Sequence, residues 1–563
     1  MYAYTEEDRA IIHARVDEFR DQLRRYRAGL LDDKEFLALR LRNGLYKQRH
    51  AFMLRVAIPY GLFTSDQLRA LAHVARVYDK GFGHFTTRQN IQYNWPKLDE
   101  VPDLLAHLAT VDMHAIQTSG NCVRNITVDH LAGVAHDEEV DPRPYAEIVR
   151  LHTTLHPEFN YLPRKFKIAF TGASHDRAAV LFHDIGIVTK RAKHGGVSLR
   201  VIVGGGLGRT PVIGSVVRED LPPEDLLSYI DAILRVYNLG GDRQNKFKAR
   251  IKIQLRTLGL EKFTALVEEE HARIKDGPLK VTREEIAKFE QSYAPPDYAR
   301  DAPSAESDPL VDDGLYRAWK TQNVLAHKIA GHSVVTLPLK ALGRVPGDIT
   351  ADEMDRVADL ADRFNKGEVR ATHEQNLLFA HVETRALPDL YRALKPMGLA
   401  EPVHGLLPDI ICCPGLDYCD LANASSIPIA KAISERVTSK RGSSGLVQIG
   451  EVKLKMSGCI NACGHHHVGH IGILGIDKKG EEAYQIMLGG DATFDAALGK
   501  WLGPALDKDA VVDAVDKVCD AYLAIRTDGE RLIDTVKRAG LKPFHEAVYG
   551  SSTTTGDESG GAT

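Results

Sequence analysis

The chain repeats itself. TTRQN at 86–90 returns as THEQN at 372–376, and KIAFTG at 167–172 returns as KLKMSG at 453–458. HDIGIV at 183–188 returns as GHIGIL at 469–474, and VIVGGG at 201–206 as QIMLGG at 485–490. Four landmarks in the same order in both halves mark a duplicated module, with a period far too long for a solenoid. From Val56 and again from Val335 the pattern reads strand, loop, helix, strand. The predicted class is therefore α+β, built as two pseudo-twofold modules able to close around one large ligand.

The remaining sequence divides around that repeat. Ile12, Val16, Phe19 and Leu23 have helical spacing in a charged segment, so 1–50 is expected to be an N-terminal helical extension. The stretch APPDYARDAPSAESDP has no periodicity and predicts a linker over 294–310. The tail 550–563 lacks apolar content and is expected to be disordered. Between them fall two regions in each half: 51–118 and 119–293, then 311–400 and 401–549. A formal net charge of −4 argues against nucleic-acid binding driven by bulk positive charge. The N-terminus shows no signal-peptide pattern, and no apolar run is long enough to span a membrane, so a cytoplasmic location is expected.

Seven cysteines are too sparse for a disulfide scaffold of 563 residues, and five of them fall between 412 and 463. Cys413 and Cys419 followed by Cys459 and Cys463 give C-x5-C and C-x3-C, four thiolates of the kind a [4Fe–4S] cubane requires. Cys412 competes with Cys413 for the first place. Pro414 and Gly415 favour a turn around such a cluster, and Gly458 and Gly464 relieve crowding. A zinc-binding structural protein is the alternative from a different class, but the five-residue spacing is loose for zinc. His465, His466 and His467 read as polar residues bordering a cofactor cavity or facing solvent. GGGLGR at 204–209 does not match G-x-G-x-x-G, and no flavin or nicotinamide domain is visible, so electrons are expected from a separate protein.

CPGLDYC, SGCINACG, TTRQN and LPRKFK occur together and in order. On these motifs the chain, from about residue 50 to about residue 545, resembles the sirohaem-dependent nitrite and sulfite reductases, and most of all their bacterial assimilatory sulfite-reducing branch. The resemblance implies a ferredoxin-like half-domain plus a larger mixed α/β domain in each module, around a central sirohaem and [4Fe–4S] site. It places Cys413, Cys419, Cys459 and Cys463 on the cluster, with Cys463 also reaching the sirohaem iron. It implies that Arg55, Arg124, Lys165 and Lys167 face the substrate anion, and that Thr86, Arg88, Gln92 and Arg250 contact the sirohaem. Alternation along a strand puts Lys165 and Lys167 on one face. The implied reaction is the six-electron reduction of sulfite to sulfide, with nitrite to ammonia as the alternative. The implied donor is a flavoprotein reductase subunit or a ferredoxin. His84 departs from relatives that carry arginine there, and Cys122 reads as an ordinary buried thiol.

Overall fold

The computed structural model describes residues 4–298 and 308–550. Residues 299–307 of the expected linker, and the expected disordered tail after Gly550, lie outside the described residues. The chain divides into two compact units. The first comprises residues 1–404 with the short segments Tyr418–Asp420 and Ala492–Ala496; the second comprises the remainder from Gly405.

The first unit opens with the helix Glu6–Arg27, entered through a capping box between Thr5 and Asp8. Its buried stripe is Ile12, Val16, Phe19 and Leu23, the spacing read in the sequence. Burying each such side chain contributes about 1.5–3 kcal/mol, as an upper bound. A second helix, Asp33–Arg42, follows.

Two five-stranded sheets come next, and each borrows an edge strand from the other half of the sequence. The first runs Leu45–Lys47, Phe52–Val56, Ile91–Tyr93, Phe82–Phe85 and finally Asp348–Thr350. The second runs Val324–Ala326, His332–Leu337, Leu377–Glu383, Glu368–Ala371 and finally Leu62–Thr64. Each exchanged strand ends in the threonine that caps the next helix, Thr64 for Ser65–Tyr78 and Thr350 for Ala351–Phe364. The two helices pack together, and Arg69 and Arg76 of one pair with Asp359, Asp362, Asp352 and Asp355 of the other. His84, on an exchanged edge, bonds Asp348 at 2.7 Å and Gln375 at 3.1 Å, so it is committed to joining the halves.

The first unit also holds a larger sheet, ordered Thr127–Val128, Ile168–Thr171, Ile185–Arg191, Val197–Val203, Ser215–Leu221. Its first two pairings are parallel and its last two antiparallel. Helices Arg143–Thr154 and Leu226–Gly240 cover its apolar face. In the second unit Ile411–Cys412, Leu454–Ser457, Ile471–Lys478, Glu481–Leu488 and Lys500–Trp501 repeat that order and those directions. The structure moves one sequence landmark by a residue. Val203 pairs with Ile185 as Leu488 pairs with Ile471, and Gly204 and Gly489 share a left-handed backbone. The last landmark therefore aligns VGG at 203–205 with LGG at 488–490. Among the described residues no helix is long and apolar enough to cross a membrane.

Candidate active site

In the first unit three guanidinium groups are held entirely by neutral acceptors. Arg55 extends from strand Phe52–Val56 opposite Gln92, to whose Oε1 it donates at 3.2 Å. Its other terminal nitrogen reaches the carbonyl of Thr118 at 3.4 Å. Arg124 donates to the same Thr118 carbonyl at 3.0 Å and to that of Gly120 at 2.7 Å. Arg88 donates to the carbonyl of Asn125 at 2.6 Å and to His183 Nε2 at 2.8 Å. A neutral acceptor orients a guanidinium without cancelling its charge.

The lysines belong to the same neighbourhood. Phe166 is buried in the core, which leaves Lys165 and Lys167 on the opposite side of the chain as alternation requires. The backbone N–H of Lys167 donates to Asp184 Oδ2 at 2.8 Å, while Asp184 Oδ1 takes Arg250 at 2.7 Å. Asp184 is fully buried. Burial, and then repulsion from Arg88 and Lys165, pushes the Lys167 ammonium well below the ordinary lysine range. Burial, and then Arg124, brings Arg88 down to about 9. Lys252 falls to about 8 through burial and Arg250. It clamps the glycine-rich turn by donating to the carbonyls of Leu207 and Thr210.

Two sequence candidates also hold neighbouring cations in place. The Thr86 hydroxyl accepts the N–H groups of Arg88 and Asn90, fixing the turn that presents Arg88. Gln92 holds Arg55. His183, Asp184 and Asn125 were missed as site residues, although the first two sit inside a repeat landmark. Cys122 is a buried thiol donating to the Ser119 carbonyl, with its pKa raised by burial.

In the second unit Cys413, Cys459 and Cys463 lie in loops and turns outside the strands. Cys412 points into the core, fully buried, and Cys413 follows it off the strand. The N–H of Gly458 donates to Cys413 Sγ at 3.2 Å. Burial, and then the neighbouring Cys463, pushes the Cys413 thiol up to about 12. Cys459 Sγ accepts from Asn461 at 3.5 Å. A side chain at Gly458 would meet the Ala424 carbonyl at 2.4 Å, so these turns close only around glycine. Cys419 lies in the Tyr418–Asp420 segment of the first unit, where Asp420 N–H donates to Gln48 and Tyr418 meets the edge of Trp95. His466 and His467 are buried, which removes the solvent-facing reading for both, and His465 takes a left-handed backbone with φ 60°.

The donor sets fit the two groups expected from the sequence. Half-buried cations that crowd Arg88 and Lys167, with Asp184 among them, suit a polycarboxylate macrocycle and a small anion. A Cys413 thiol that resists ionisation, with the exposed Cys463 beside it, suits a positive metal centre, which favours the thiolate and reverses that resistance.

The fold and the site define a class. The family model "Nitrite and sulphite reductase 4Fe-4S domain" matches residues 119–275 and 407–554, and "Nitrite/Sulfite reductase ferredoxin-like half domain" matches 46–111 and 341–397. The chain belongs to the nitrite and sulphite reductase family and is an oxidoreductase; sirohaem and a [4Fe–4S] cluster are the cofactors of that family. Among its relatives, a sulfite reductase [ferredoxin] of Mycobacterium tuberculosis is 27% identical over 497 residues, covering 87% of this chain and 82% of the relative. A ferredoxin–nitrite reductase of Synechococcus elongatus is 29% identical, covering 80% of this chain and 82% of the relative. The solved structure of the Mycobacterium tuberculosis NirA protein superposes with a TM-score of 0.76 at 24% identity, covering 91% of this chain and 92% of that one, which establishes a shared fold.

Proposed function

We propose that this chain is an assimilatory sulfite reductase that carries sulfite to sulfide with six electrons. The observation carrying the proposal is the trio of half-buried guanidinium groups of Arg55, Arg88 and Arg124 in the first unit, held by neutral acceptors and so left charged for anions. Thr86, Arg88, Gln92 and Arg250 form the sirohaem-facing side, and Arg55, Arg124, Lys165 and Lys167 the substrate-facing side. Cys413, Cys419, Cys459 and Cys463 would hold the cluster, and Cys463 would also serve the sirohaem. When bound, the coupled pair supplies electrons one at a time to the substrate's central atom.

The chain's own residues manage charge and protons. Arg55 and Arg124 hold the oxyanion without being neutralised by their carbonyl partners. Lys167 sits where its proton is weakly held, so an entering anion favours the ammonium and departure of an oxygen as water draws the proton away. Asp184 anchors the Lys167 backbone and Arg250 together, fixing the spacing between the two sides.

The donor is proposed to be ferredoxin, the donor named for both relatives above, rather than a flavoprotein subunit. Nitrite is the second reading, favoured by the Synechococcus relative. Steady-state assays with reduced ferredoxin and each anion test both: sulfite turnover with the higher kcat/KM supports the proposal, and a nitrite preference replaces it with the second reading.

A further inference from the structure

His183 lies between Arg88 and the turn 176–182, and its two ring nitrogens have opposed partners. Nδ1 is 2.8 Å from the carbonyl oxygen of Ala179, and Nε2 is 2.8 Å from Arg88 Nη1. A carbonyl only accepts, so Nδ1 carries the proton; a guanidinium only donates, so Nε2 is bare. The ring is therefore neutral and held in one tautomer. Burial, and then Arg88 and Lys167, pushes its pKa well below the ordinary histidine range, in keeping with that geometry.

The backbone beneath the ring is built to hold the carbonyl in place. Asp176 accepts the N–H groups of Ala178 and Val180, each at 2.8 Å. Ala179 between them takes a left-handed backbone, φ 53°, which a residue with a Cβ adopts at a cost. Its carbonyl also receives Phe182 N–H at 2.9 Å. In the second module the equivalent of His183 is Gly469, which offers no side chain, so the imidazole is present only in the module that carries the cations.

We infer that His183 is a positioning residue for Arg88: its neutral Nε2 fixes the aim of the guanidinium and leaves the whole charge for an anionic cofactor side chain. The inference rests on the sirohaem reading above. A carboxylate in the same place would hold Arg88 equally well but cancel its charge; a water would leave the charge but let the side chain swing.

The test is a double-mutant cycle on the purified holoenzyme, read by the rate of tetrapyrrole release in dilute urea and by kcat/KM. His183→Leu is expected to speed release and lower kcat/KM about tenfold each, the worth of one hydrogen bond to a charged group. His183→Gln, which keeps an acceptor, is expected to stay within about threefold of the wild type. In an Arg88→Met background His183→Leu is expected to add less than about twofold. Equal effects of His183→Leu in both backgrounds overturn the assignment. If His183→Leu does not assemble, the Gln variant decides: a fully loaded enzyme more than about tenfold impaired overturns it, and near-normal release and turnover support it. A wild-type chain without tetrapyrrole overturns the sirohaem reading and this inference with it, whereas a loaded wild type with additive effects overturns the His183 role alone.

Discussion

The two large sheets share a backbone and differ in what that backbone carries. From Lys167 to Val188 and from Lys453 to Leu474 the two copies run in step without a gap. Asp129 N–H bonds the Phe170 carbonyl at 3.1 Å as Cys413 N–H bonds that of Met456 at 3.2 Å, so Asp129 and Cys413 are equivalent. By the same register Ala173 answers Cys459 and Arg177 answers Cys463. In the first copy Arg177 closes on Asp129 at 3.0 Å and on Asp137 at 2.9 Å. In the second copy the same places hold two neighbouring thiols. One turn thus makes either an ion pair satisfied within the protein or a pair of neighbouring thiols. Specialisation came from exchanging side chains on a conserved backbone.

The sharpest way to break this comparison is to mutate both members of an equivalent pair. Cys463→Ser is expected to abolish turnover, by more than about 1000-fold, with loss of iron and acid-labile sulfide. Arg177→Ala in the other copy is expected to keep both and instead cost about 3 kcal/mol in urea unfolding, because Asp129 is left buried and unpaired. Loss of iron in the Arg177 variant, or its retention in the Cys463 variant, contradicts the division of labour.

A smaller effect is expected on the cationic side. Lys167→Met should lower kcat about 100-fold with the visible spectrum and iron content unchanged. Loss of the tetrapyrrole in that variant would make Lys167 a structural residue.

Removing the cofactors sharpens the same point through pH. Lys167 in the apoprotein has a pKa below its unfolded value of 10.5. Between those two values the unfolded chain binds the extra proton, so this group's contribution to stability rises with pH and its penalty is fully present below the folded pKa. Apo Lys167→Met should therefore exceed the apo wild type in stability at about pH 7, and the gap should shrink as pH climbs toward the unfolded value. Urea melts at both ends of that window check the sign.

The smallest effect expected is at the histidine run. Ala179 and His465 are equivalent and share the left-handed backbone, φ 53° and 60°. His465→Gly should leave iron content unchanged and raise stability by about 0.5–1 kcal/mol, as relief of that conformation predicts. A fall in iron would turn a turn residue into a ligand.

Much of this was legible before any coordinates. The helical spacing of Ile12, Val16, Phe19 and Leu23, the four repeat landmarks and the alternating Lys165 and Lys167 follow from local periodicity, which a chain displays directly. The exchange of Leu62–Thr64 and Asp348–Thr350 between sheets was not legible, because edge pairing depends on residues more than 260 positions apart that carry no local signal. His183 and Asp184 were visible as a repeat landmark, yet their roles come from Arg88 and Arg250, which are distant in sequence. The histidine run was open to a solvent-facing reading because composition does not reveal that two of its members are buried. Gln92 and Thr86 were chosen as sirohaem contacts, and their bonds to Arg55 and to the Arg88 turn depend on side chains that the motif alone does not place.

The central claim is that buried cations in one module and thiols in the other exist to hold an iron tetrapyrrole and an iron–sulfur cluster. It is tested most directly by a visible spectrum of anaerobically purified protein, expressed with adequate sirohaem supply, together with iron and acid-labile sulfide analysis. The account predicts a coloured protein with about five irons and about four sulfides per chain, one iron in the macrocycle and the rest in the cubane. A colourless protein free of iron and sulfide would contradict it.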